Sequence, residues 1–130
     1  MTQDEEQARR YIEWLWAKIN SVIPLVAYYD VKWMREQAND QGTYFSVEYN
    51  PLALFATLRV YRGVFDDLLT SEGGFTERFK SLVTIFLCHE AGHIYLWELE
   101  GTDRDRQKIA TLVGKLIYQI LDLLEERRSR

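Results

Sequence analysis

The chain has 130 residues, 47% of them hydrophobic and 14% aromatic, which is enough for one buried core and too apolar for a disordered segment. A net charge of -4 and a pI near 5.2 leave no basic footprint for a phosphate backbone and exclude nucleic acid as a partner. The start is acidic, the longest apolar-rich run (Leu82 to Leu87) is far short of the ~20 residues a bilayer requires, and the lone cysteine, Cys88, cannot pair internally; these features predict a cytoplasmic chain with no export signal and no membrane contact.

In chain order, Ala8, Ile12, Leu15, Ile19 and Val22 recur at three- and four-residue spacing and predict a helix from Asp4 to Ile23, stopped by Pro24. Asp30 to Met34 reads as a short strand, and Asn39 to Gly42 as a chain reversal. Alternation at Thr43, Phe45, Val47 and Tyr49, and again at Leu54, Ala56, Leu58 and Val60, predicts two antiparallel strands. Arg62 to Gly74 is loop-like, with room for one helical turn. Thr76 is placed to cap a helix running to Trp97 or Glu98, with Gly101 as its stop.

A last helix, capped by Thr102 or Asp103, carries Ile109, Leu112, Val113, Leu116, Ile117, Ile120 and Leu124 as an apolar stripe expected to face inward. Its basic end, Arg127 to Arg130, suits the carboxyl-terminal pole of the helix dipole. The expected fold is therefore one α+β domain over residues 1–130: an N-terminal helix, a small antiparallel sheet of about three strands, a motif helix and a C-terminal helix.

His89-Glu90-Ala91-Gly92-His93 matches H-E-x-x-H inside the segment expected to be helical, and it contains both histidines of the chain. Residues four apart stack on one helical face, so both imidazoles can reach one zinc ion at ~2.0 Å, while Glu90, one step round the helix, reaches a water rather than the metal. A catalytic site needs a third protein ligand. No histidine remains for it, Cys88 points about 100° away from His89, and the longer H-E-x-x-H-x-x-G-x-x-H pattern is absent, with Leu96 and Leu99 in its last two fixed positions. A carboxylate from the next helix is expected: Asp105, which shares the apolar stripe one turn before Ile109, with Asp103, Glu98 and Glu100 as alternatives.

From Thr43 to Leu124 this order of strands, H-E-x-x-H helix and helix with an acidic ligand resembles the zincin metallopeptidases, and in size the very small stand-alone gluzincins, or minigluzincins. The resemblance implies His89 and His93 as zinc ligands, Glu90 as catalytic acid and base, and peptides or proteins as substrates. Gluzincins use glutamate as third ligand, where the best-placed residue here is an aspartate. A non-catalytic zinc- or peptide-binding regulatory module is the alternative function. Tyr44, Tyr49, Tyr61 and Arg62 are candidates to stabilise an oxyanion, and the strand from Leu54 to Tyr61 is the expected upper rim of a peptide cleft. The small residues Ser81, Thr84, Cys88, Ala91 and Gly92 predict close packing of the motif helix, with Cys88 a buried apolar side chain.

Overall fold

A computed structural model describes residues 2–35, 43–97 and 103–129, the side chains at 103, 124 and 126–129 excepted. The expected reversal at Asn39 to Gly42, and Glu98, Glu100, Gly101 and Thr102, lie outside the described residues.

Helix α1 (Gln3–Asn20) opens where the Thr2 hydroxyl accepts a hydrogen bond from the Glu5 amide. Three acidic residues, Asp4 to Glu6, occupy its first turn, where the helix dipole favours them. The predicted row Ala8, Ile12, Leu15 and Ile19 is buried, joined by Trp16. Strands β1 (Tyr28–Trp33), β2 (Phe45–Asn50) and β3 (Phe55–Val60) form one sheet in the order β1-β3-β2.

The β2–β3 pair is antiparallel as expected, with Val47 opposite Leu58. The sheet as a whole is mixed rather than antiparallel, because β1 runs parallel to β3, Val31 beside Leu58. The chain leaves β1 and returns along the far edge of β3, so β3 is central and β2 is an edge strand. One face, built from Phe45, Val47, Tyr49, Ala56, Leu58 and Val60, is buried. The other carries polar pairs such as the Arg59–Glu48 salt bridge at 2.5 Å. In the β2–β3 turn the Asn50 side chain accepts from the Leu52 and Ala53 amides, and Leu54 takes a left-handed φ of 52°.

The segment expected to be loop-like contains a π-helical turn, Val64–Leu69, whose Val64, Phe65, Leu68 and Leu69 join the core. Its apolar residues pair at four-residue spacing, Val64 with Leu68 and Phe65 with Leu69, a helical signal that six residues are too few to make distinct from a loop. Helix α2 (Glu77–Tyr95) is capped by Thr76, whose hydroxyl accepts from the Phe79 amide. It packs Phe79, Val83, Leu87, Ala91 and Ile94 into the core. Helix α3 (Asp103–Ser129) then returns along α2.

The inward face of α3 is only partly the one its apolar pattern suggests: of the expected stripe, Ile117 is buried and Val113 packs against the core. Ala110, Gly114, Ile117 and Leu121 are buried, whereas Ile109, Leu112, Leu116 and Ile120 are exposed. Small residues decide this orientation. A β-carbon on Gly92 would meet the Ala110 carbonyl oxygen at 2.4 Å, and one on Gly114 would meet the Cys88 carbonyl oxygen at 2.9 Å. The two backbones touch where both helices lack bulk, which is the close packing expected of the small residues of α2. Among the described residues no helix is long and apolar enough to cross a membrane.

Candidate metal centre

The last two turns of α2 present His89, Glu90 and His93 to a cleft of about 420 Å³ between α2 and the edge strand β2. Thr43 to Val47 line one wall, Phe86 and the motif residues the other, and Gln107 of α3 closes one end. One donor atom from each of His89, Glu90 and His93 lies within 4.8 Å of the others. The imidazole planes stand at 84° with centroids 4.7 Å apart, so the rings converge on a point instead of stacking. Their Nε2 atoms are 3.1 Å apart; two nitrogens bound to one tetrahedral zinc at ~2.0–2.1 Å are separated by ~3.3–3.4 Å. The spacing fits the ion with a shift of a few tenths of an ångström.

Helix α3 fixes the orientation of His89. The Thr111 hydroxyl donates to the Gln107 carbonyl at 2.9 Å, so toward His89 it acts as acceptor, and the ring Nδ1 donates to it at 3.1 Å. In that tautomer Nε2 of His89 keeps its lone pair for a metal. Oε1 of Gln107 lies 2.8 Å from the same nitrogen. With the proton on Nδ1, Gln107 Oε1 and the two ring nitrogens can all turn lone pairs to one cation; with it on Nε2 the same contact is a hydrogen bond to Gln107.

Asp105, the carboxylate expected from the sequence, is not part of this group. It is exposed on α3, about 200° round the helix from Gln107. The expectation placed it on an apolar stripe assumed to face inward; the inward stripe is instead the small-residue one, which carries Gln107 and Thr111 to the motif. Of the alternatives, Glu98 and Glu100 lie outside the described residues, as does the side chain of Asp103. Gln107 and Thr111 were missed because neither is a usual metal ligand. The signal that finds them is the small residue one turn further on, Ala110 or Gly114, which marks the contact face.

Glu90 is raised from an ordinary carboxyl value of 4.5 to about 8 by burial. No hydrogen bond or ion pair reaches it among the described residues. Burial, and then the neighbouring His89, lower the pKa of His93, against a smaller opposing effect of its hydrogen bond with Gln107. Both shifts disfavour charge, and an ion of two positive charges would reverse that balance for Glu90. Cys88 is buried and its thiol is pushed up to about 12 by burial, an inert packing residue as expected.

Of the four side chains considered for an oxyanion, only Tyr44 lines the cleft, and its hydroxyl donates to Asp67 Oδ2 at 2.6 Å. Tyr49 donates to the Leu25 carbonyl, Tyr61 pairs with Ser46, and Arg62 bridges Glu5 and Asp66. Comparison with protein-family models, curated proteins and solved structures gives no match to this chain.

Proposed function

We propose that this chain is a zinc-dependent metallopeptidase of the H-E-x-x-H type, acting in the cytoplasm, with Glu90 as general base. The observation that carries the proposal is the convergence on one cleft of His89 Nε2, His93 Nε2 and a half-buried Glu90 that has no hydrogen bond or ion pair among the described residues. His89 and His93 would hold the ion, and Gln107 Oε1 is the third donor in place of Asp105. When bound, zinc supplies Lewis acidity toward a carbonyl and acidifies water at neutral pH. Glu90 then takes a proton from the attacking water and delivers it to the leaving amine, one carboxylate serving both steps.

The substrate in this reading is an extended peptide laid along the outer edge of β2, which pairs with no other strand among the described residues. Strand β3, the rim expected from the sequence, is paired on both sides and has no edge to offer; β2 has one, and it borders the cleft. Phe45 and Phe86, whose rings lie 6.3 Å apart, form the apolar wall that would limit water at the reacting bond.

A second reading, a zinc- or peptide-binding module without catalysis, is favoured by two features. The third donor is a neutral amide, and the one cleft tyrosine is engaged by Asp67. An assay with casein or a quenched peptide, comparing the wild type with Glu90→Gln, separates the two. Metal-dependent cleavage that falls about 10²- to 10⁴-fold in the variant supports the peptidase, and a metal-loaded wild type with no cleavage supports the module.

A further inference from the structure

Helix α3 turns a row of large apolar side chains to solvent: Ile109, Leu112, Leu116, Ile120 and Leu123, each 40–60% exposed. The intervals along this row are three, four, four and three, so the row is symmetric about Leu116. The geometry points to self-association of this chain through α3, two copies packing antiparallel about a two-fold axis beside Leu116. In that arrangement Ile109 meets Leu123 of the second copy, Leu112 meets Ile120, and Leu116 meets itself. An isologous contact of this kind needs a self-complementary surface, and a row that reads the same in both directions is one.

Charge favours the same direction. Lys108 and Asp122 are exposed, and neither forms an ion pair among the described residues. They sit two heptads apart, on the same flank of the row. With a rise of 1.5 Å per residue, antiparallel pairing about Leu116 brings Lys108 within about 3 Å of the height of Asp122 of the second copy, and the symmetry makes the pair twice. Lys115 comes level with Gln119 of the second copy in the same way. Parallel pairing would put this flank of the two copies on opposite sides of the contact, so Lys108 and Asp122 would not meet.

The row is of the order of 400 Å², at the upper end of what a monomer leaves open and below the ~800 Å² per partner of a standard interface. Flanking polar side chains add the rest, so the dimer is weak, with a dissociation constant on the order of 10 µM. The inference does not depend on the metal, since Gln107 and the cleft lie round the helix from this row.

Sedimentation velocity on the full chain over a wide concentration range tests it. The wild type is expected to pass from monomer to dimer. Leu116→Glu, at an exposed position, is expected to stay monomeric with an unchanged helical signal. Lys108→Glu and Asp122→Lys should each weaken association about tenfold, and the double exchange should restore it. Cross-linking reports direction: Leu116→Cys should form a disulfide-linked dimer while Ile109→Cys does not, and buried Cys88 does not interfere. A chain that stays monomeric at several hundred micromolar overturns the inference. So does a dimer indifferent to Leu116→Glu, cross-linking at position 109, or a monomer whose row instead binds anionic phosphatidylserine vesicles.

Discussion

Gly92 of α2 and Ala110 of α3 are in backbone contact one residue from a motif histidine: a β-carbon at 92 would come within 2.4 Å of the Ala110 carbonyl oxygen. On helix propensity alone, Gly92→Ala should stabilise by about 1 kcal/mol. The contact reverses the sign. The obstacle is backbone rather than the end of a flexible side chain, so the helices must separate, and a loss of about 1–3 kcal/mol is expected in urea unfolding. A stabilised variant would show that the two helices are further apart than described. Because α3 carries Gln107 and Thr111, the same substitution should also loosen the metal centre.

Thr111 is predicted to act on metal affinity through His89. Thr111→Val keeps the shape and removes the acceptor of the His89 Nδ1 proton, which should weaken zinc binding about 10- to 100-fold with little change in fold. Competition against a chromophoric chelator measures it. An unchanged affinity would mean that the hydroxyl does not hold the ring.

Gln107→Glu gives the centre an anionic third donor at the position where Oε1 now lies 2.8 Å from His89 Nε2. Zinc binding is expected to tighten by at least about tenfold, since a charged oxygen bonds the ion more strongly than a neutral amide. If Gln107 serves only to hydrogen-bond the histidines, the charge brings no such gain, and calorimetric titration of both proteins decides.

The pH dependence of stability without metal follows from two opposed shifts. Glu90 titrates near 8 in the folded chain against an ordinary 4.5, so the folded state keeps a proton that the unfolded state releases, and stability falls as pH rises through that window. His93 has a lowered pKa, which makes stability rise with pH up to about its ordinary value of 6.5. Between about 6.5 and 8 only the Glu90 effect remains. Melting temperatures of the metal-free protein should fall across that interval, and Glu90→Gln should remove the fall. A flat profile in the wild type would mean that Glu90 is ionised in the folded chain.

The helices were legible in the sequence wherever a repeating apolar spacing coincided with burial. Ala8, Ile12, Leu15 and Ile19 fixed the inner face of α1, and Thr76 marked the start of α2. The β2–β3 pair was legible from strict alternation. The parallel placement of β1 was not, because strand direction depends on how the chain returns from Trp33 to Phe45 rather than on any residue within β1.

The motif itself could be read directly, since one helical turn between His89 and His93 dictates their convergence. The residues opposite could not. Assigning the inward face of α3 from apolar content selected Ile109 and Leu116 and with them Asp105. The actual contact is made by Ala110 and Gly114, where the absence of bulk allows two backbones to meet. Burial here follows shape: of the apolar stripe, Ile117 is buried and Val113 packs against the core, and the inward face is centred about 100° round the helix from the middle of the stripe.

The central claim is tested most directly by the metal content of the purified chain after equilibration with zinc and removal of the excess. One zinc per chain is expected in the wild type and in Glu90→Gln, and none in the double variant His89→Ala, His93→Ala. A folded wild-type chain that retains no zinc, or a double variant that retains as much, would contradict the claim that these two imidazoles hold an ion.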